Sequence, residues 1–424
     1  METAVYLITG QHGTSHEKVA DTLCNIVNEK EKSDYSISVA KSYSLDKEIW
    51  SLAGSPEVFF EWPDDKKRDD VWIEAFLKIQ DKIKKDNPLF AFISLHVVYL
   101  WKKRFFSCVD WDHLITIQPK VILTLIDDIY DIHTRVVNSQ KAHGAKIPKG
   151  SYNLFEILSW RLREIHTCNL IAKHLFVNPE CFPYTDRFIK EEKITRLQHL
   201  HNEIKQVFGK PLDHFVVSIK QSPQEFYKLL FERKKLKIYL SFPISEPRRR
   251  DDKAYFKQLR KWRHKMHQNF ISFDPSAIDE LRFNENEKGK IITGRLKDRI
   301  PYQTEPPIVN PPIGVPDSWP LKELQTIRDF VSQQVSERDY KLESQSDLIV
   351  MWRPLYGKKN HTGVEAEAVF AKAKGIPIHS YHPSEDQLLA DKPFHYNIGS
   401  NHDTESELLK AIHDFQKKRE KNQK

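Results

Sequence analysis

Val121-Ile-Leu-Thr-Leu-Ile126 carries five aliphatic side chains and one hydroxyl. It has no alternation of polar and apolar positions, so neither face of such a strand is made for water. Phe90-Ala-Phe-Ile-Ser-Leu95 reads the same way, and so does Val5-Tyr-Leu-Ile-Thr9. Working outward, helical periodicity lies between and after these runs. His16 to Lys30 places Val19, Leu23, Ile26 and Val27 on one face, and Val71 to Lys85 and Leu154 to Leu175 are further helical segments. Continuous apolar strands separated by helices predict a parallel sheet covered on both sides.

The pattern restarts at Leu236. Leu236 to Leu240 reads as a strand, Asp252 to His267 as a helix and Phe270 to Phe273 as a strand. Seven prolines within residues 301–320 then exclude both helix and central strand. A helix over Leu321 to Gln345, a strand over Asp347 to Trp352, a helix over Gly363 to Lys374 and a strand over Pro377 to Tyr381 complete the second set. The fold class expected is therefore α/β, with two doubly wound parallel-sheet domains. The first spans 1–210, residues 211–234 form a linker or connecting helix, and the second spans 235–424. Phe215 to Phe231 reads either as the connecting helix or as a last element of the first domain.

A chain of 424 residues with 39% hydrophobic and 29% charged residues is expected to be a globular protein. No run reaches the roughly 18 uncharged apolar residues of a membrane span. The stretch from Leu89 to Trp101 is broken by Ser94 and His96, and Met1-Glu2-Thr3 lacks the basic start of a signal peptide. Cys24, Cys108, Cys168 and Cys181 form no CxxC pair and no metal spacing, so no disulfide framework and no metal are expected, and a cytoplasmic location fits. The net charge of +7 is modest and its clusters are local, as in Arg248-Arg249-Arg250. Without a reading motif, nucleic acid is not an expected partner.

Gly10-Gln-His-Gly13-Thr-Ser-His-Glu17 lies between a strand and a helix, where a phosphate-binding loop would lie. A working loop, G-x-x-x-x-G-K-[ST], needs a lysine for charge and a hydroxyl for magnesium. Here those positions are His16 and Glu17. The wider pattern resembles the adenylate-kinase branch of the P-loop nucleotide kinases, with Phe92-Ile-Ser-Leu-His96 and the run from Gln118 to Arg135 in matching places. The resemblance implies a degenerate kinase-like domain whose remnant loop is Gly10, Gly13 and His16. Such a domain would sense a nucleotide or partner, or serve only as a scaffold. An active kinase here would need phosphoryl transfer without the lysine and the hydroxyl.

The most informative run is Asn360-His-Thr-Gly-Val-Glu-Ala-Glu-Ala-Val-Phe-Ala-Lys-Ala-Lys-Gly-Ile-Pro-Ile378. Gly375 and Pro377 end the helix. At about 100° per residue, Val364, Ala368 and Ala371 form a buried stripe with Glu367 beside it, while Glu365 turns toward solvent. A carboxylate next to a stripe of alanines needs a partner such as Arg353, or a task.

This region resembles the nucleoside 2-deoxyribosyltransferases and the related deoxynucleoside monophosphate glycosidases. Gly363, Glu367, Ala371, Gly375 and Pro377 hold that family's offsets. The resemblance implies that Glu367 is the nucleophile toward an anomeric carbon, that Tyr239 positions it, and that Asp339 is the acid or base contact. It implies a substrate site that includes Ser241, Phe242, Asp347 and the Thr362-Gly363 helix start. The segment Phe394-His-Tyr-Asn397 would place Asn397 in a neighbouring subunit's site, hence a homo-oligomer. Two departures stand out. Phe242 replaces a turn glycine, which would narrow the approach. His361 replaces an acid, and with Arg248 and Arg249 it would favour a phosphorylated nucleotide, or a dinucleotide such as NAD, over a free nucleoside.

The function expected is N-glycosidic cleavage or transfer on a nucleotide, nucleoside or NAD-like small molecule, without cofactor. Fused to a degenerate kinase-like half, it would suit a nucleotide-depleting effector. The alternative is a non-catalytic nucleotide-binding or scaffold protein built from two degenerate folds.

Overall fold

The structure is a computed structural model that describes residues 3–30, 39–142, 152–177, 212–286, 288–300, 307–358, 361–383, 386 and 399–422. The chain divides into two compact units. One comprises Met1–Ile126, Lys146–Tyr152 and Ser159–Val216, the other Asp127–Ala145, Asn153–Leu158 and Val217–Lys424.

The first unit is built on strands β1 (Ala4–Gly10), β2 (Ala40–Ser44), β3 (Phe90–Ser94), β6 (Val121–Ile126) and β7 (Asp213–Ser218), in the order β2-β3-β1-β6-β7. Tyr6 pairs with Phe92 on one side and Val121 on the other, both in parallel, and Tyr43 pairs with Ile93. Helices α1 (His16–Lys30), α2 (Leu45–Ala53), α3 (Pro56–Glu61), α4 (Asp65–Asp86) and α5 (Trp111–Thr116) fall among these strands. The three apolar runs are the inner strands, and their side chains are buried almost without exception. Strand β2, Ala-Lys-Ser-Tyr-Ser, gives no apolar run because it is the edge, with only Ala40 and Tyr43 buried. The helix expected from Val71 begins six residues earlier, where Asp64 accepts from the Lys66 amide as its cap. A small hairpin, β4 (Tyr99–Trp101) and β5 (Arg104–Phe106), turns at Lys102 and Lys103, both at positive φ.

The second unit contains α6 (Ile129–Ala142), the start of α7 (Leu154–Val177), α8 (Pro223–Phe231), α9 (Ser245–Arg249), α10 (Lys253–Asn269), α11 (Leu321–Ser344), α12 (Thr362–Lys374) and α13 (Glu405–Asn422). Its sheet consists of β8 (Lys237–Ser241), β9 (Ile271–Phe273), β12 (Leu348–Trp352), β13 (Ile378–Tyr381) and β14 (Ser400–His402), in the order β14-β13-β12-β8-β9 and parallel throughout. Strands β10 (Phe283–Glu285) and β11 (Ile291–Leu296) form a separate antiparallel ribbon. The two parallel five-stranded sheets make the α/β class plain.

Phe215 to Phe231 is not a single helix. Its first residues belong to β7, and Pro223 then opens α8, since proline is tolerated in a first helical turn and not within a helix. Among the described residues no helix is long and apolar enough to cross a membrane.

Candidate active site

In the second unit the chain leaves β8 for β9 on one side, then returns to place β12 on the other side. Such a reversal opens a crevice at the carboxyl ends of the two central strands, where open α/β sheets bind ligands. Tyr239 and Ser241 lie at that end of β8, two residues apart and so on one face. Helix α12 follows β12 and buries Val364, Ala368 and Ala371, the stripe read from the sequence. Glu367, beside that stripe, is brought to β8.

The Tyr239 hydroxyl donates to Oε1 of Glu367 at 2.8 Å, and Ser241 Oγ donates to Oε2. Both oxygens therefore accept hydrogen bonds, and Glu367 as a residue is half-buried. Burial pushes its carboxyl up to about 8. The charge of Asp339 pushes the same way, while the two hydroxyls and Arg338 pull against it. Arg353, the alternative partner, instead grips Asp386 with two bonds of 2.7 and 2.8 Å. Helices α11 and α12 meet where the rings of Tyr340 and Phe370 stack at 4.4 Å.

Asp339 lies on α11 and pairs with the buried Arg338 guanidinium at 2.9 Å. Arg338 is tied in turn to the carbonyl of Ile278 at 3.0 Å. One turn further along α11, Glu343 is fully buried, and among the described residues neither of its oxygens has a hydrogen-bond partner. Burial, then the charges of Glu367 and Asp339, push it up to about 10, so it holds its proton at neutral pH. Sequence reading missed Glu343. The available signal was its spacing of four residues from Asp339 on one helix face.

The remaining expected residues scatter. Phe242 turns into the core against Trp262 (ring centroids 6.2 Å apart) and is buried, so it does not narrow the approach. Asp347 sits at the amino end of its strand, bonded to Lys237 and Arg419, away from the end that carries Ser241. Arg248 is held by Asp279 at 2.5 Å, while Arg249 and Arg250 both pair with Glu246. His361 caps α12 with Nε2 2.7 Å from the Tyr356 carbonyl, and burial lowers its pKa, so it offers no cation at neutral pH. The case from His361 and the arginines for a phosphorylated substrate is thereby weakened. Thr362 and Gly363 are exposed, and a Cβ at Gly363 would meet nothing within 4 Å among the described residues. Asn397 lies outside the described residues, as does Cys181.

In the first unit the remnant loop is committed to internal bonds. The Gly10 amide donates to Glu164, whose carboxylate also takes the amides of Val97 and Val98 at 3.2 and 2.9 Å. Burial pushes Glu164 up to about 8 against the pull of those amides. A Cβ at Gly10 would come within 2.6 Å of Thr14 Oγ1 and 2.9 Å of the Leu125 carbonyl, so glycine is required by the close approach. The half-buried Gly13 follows in the same turn at a φ of 93°. His16 faces inward to Asp46, and Glu17 accepts from Ser44. Arg135 of the second unit, which ends the run that resembles the nucleotide kinases, is held by Asp127 at 2.7 Å.

Fold and site together define an α/β protein with a carboxylate cluster at the switch point of its second sheet. No known family profile matches the chain, and no curated protein does. Among solved structures, a candidate kinase from Chloroflexus aurantiacus is 14% identical with a TM-score of 0.24, covering 38% of this chain and 77% of that one. A sugar kinase from Janibacter is 10% identical with a TM-score of 0.26, covering 54% and 93%. Similarity at that level carries no argument about chemistry.

Proposed function

We propose that the second unit cleaves the N-glycosidic bond of a nucleoside or nucleotide, with Glu367 as the nucleophile. The observation that carries this reading is the clamp on Glu367. Two hydroxyls, both from buried residues, hold its two oxygens at a topological switch point. Carboxylate attack on the anomeric carbon forms a glycosyl ester as the carbon–nitrogen bond breaks, and the electron pair leaves with the base. Asp339 is the group proposed to contact or protonate that base, with Arg338 fixing its position. Water then hydrolyses the ester, or a second base displaces it. The substrate class stays open between nucleoside and nucleotide, since each arginine of the basic run already has a carboxylate partner.

The test is incubation of the full chain with nucleosides, nucleotides and NAD, read out as free base by chromatography. Base release that Glu367→Gln abolishes, and Glu365→Gln does not, is the expected result. Saturable binding with no base release by the wild type would instead select the non-catalytic reading.

A further inference from the structure

Three parallel strands of the first unit end side by side, in the order β2-β3-β1. Each is followed at its carboxyl end by one potential metal ligand. His16 opens α1 after β1, Asp46 lies in the first turn of α2 after β2, and His96 lies two residues beyond β3. All three are buried, and their donor atoms lie within 4.8 Å of one another. The ligands are 30 and 50 residues apart in the chain, so no short spacing motif announces them.

The distances separate a metal site from a simple hydrogen-bonded cluster. His16 Nε2 lies 3.0 Å from Asp46 Oδ2, and His96 Nε2 lies 3.6 Å from that same oxygen. The second distance is too long for a hydrogen bond. Two ligands of a tetrahedral zinc, each at about 2.0–2.1 Å, stand about 3.3 Å apart. Both observed separations bracket that value.

The outer contacts fit as well. His96 Nδ1 lies 2.5 Å from the Gly10 carbonyl, which can only accept, so the ring's proton is on Nδ1. Nε2 is then the nitrogen turned toward Asp46 Oδ2, 3.6 Å away, with room for a metal ion to bind both. Tyr99 donates to the other Asp46 oxygen at 2.9 Å and leaves Oδ2 for coordination. A backbone carbonyl on one histidine and a phenol on the carboxylate are the second contacts that orient metal ligands.

We infer that His16, Asp46 and His96 form a binding site for a divalent transition metal of the zinc class, with its fourth position open to water or a ligand atom. Two imidazoles and one carboxylate select against magnesium and calcium, which take oxygen ligands. The remnant of a phosphate loop is thus rebuilt as a metal pocket, and the lost lysine position, His16, becomes a ligand.

The test uses tag-free, full-length protein stripped with chelator and titrated with zinc chloride, magnesium chloride and cobalt chloride. One equivalent of zinc per chain, no magnesium uptake and the visible bands of tetrahedral cobalt are expected. Tyr99→Phe keeps all three ligands and should weaken zinc about 10- to 100-fold. His16→Asn with His96→Asn should remove the cobalt bands. Zinc uptake well below one equivalent by the wild type would overturn the site. So would cobalt bands that persist in the double variant.

Discussion

Tyr239 and Glu367 come from elements 128 residues apart in the chain and meet through a single hydrogen bond of 2.8 Å at the carboxyl end of β8. The phenol is buried, which raises its own pKa well above the ordinary value, so it remains a donor at every pH of interest. Tyr239→Phe removes one of the interactions that stabilise the Glu367 carboxylate. A hydrogen bond to a charged group contributes about 1.5–3 kcal/mol. Base release at pH 7 should therefore fall by about 10- to 100-fold, with the rise of kcat/KM moved to higher pH. A pH profile of the variant identical to wild type would contradict the clamp.

Asp339 tests the electrostatics in the opposite direction. Glu367 titrates near 8, and after burial the charge of Asp339 is the largest contribution raising it. As the proposed nucleophile it must be ionised, so kcat/KM of the wild type should rise with pH through about 8. Asp339→Asn removes that charge, and the rise should move to lower pH. The plateau should fall as well, because the proposed base contact is lost. The position of the limb, rather than its height, is the readout.

The alternation of apolar strands and helices made both sheets legible, because inner strands of a parallel sheet are apolar on both faces. Edge strand β2 and the short β14 escaped for the same reason, since neither carries an apolar run. Glu367, Tyr239 and Ser241 were legible as a pattern, and the structure brings those three together. Phe242 was read at the approach to the substrate and lies buried against Trp262, because a side chain after a strand turns either to the crevice or to the core, and sequence does not say which. His361 and the arginines were read as charges that would favour a phosphorylated substrate. Their charge is set by burial and by partners such as Asp279 and Glu246, which lie elsewhere in the chain.

A separate buried network fixes a dependence of stability on pH. His267 lies 3.5 Å from both Glu225 and Asp274. Burial alone would lower its pKa, but the two carboxylates override this and carry it up to about 9. The fold therefore holds one proton more than the unfolded chain between the ordinary value of 6.5 and about 9. The stabilisation is complete below 6.5 and is lost as pH rises through 9, by about 1.4 kcal/mol per pH unit within that window. Urea unfolding of wild type and His267→Gln should give a stability difference that shrinks from pH 6.5 to 9. A difference constant across that range would show that His267 is neutral in the fold.

Glu343 carries the strongest stability prediction. It is fully buried, has no hydrogen-bond partner among the described residues, and holds its proton up to about 10. The unfolded chain releases that proton near the ordinary 4.5. Between those values the fold binds the extra proton, and this group's contribution to stability falls as pH rises. At pH 7 the cost is on the order of 3 kcal/mol. Glu343→Met keeps the volume and removes the acid, so it should stabilise the protein by up to that amount, with the gain growing from pH 5 to pH 8. The variant also isolates what Glu343 does to its neighbour. Below about 10 it is neutral and exerts no charge on Glu367, so the rise of kcat/KM near 8 should stay where it is. A limb that moved down in Glu343→Met would mean that Glu343 is ionised and repels the nucleophile, and in that case the variant would lack the pH-dependent gain in stability.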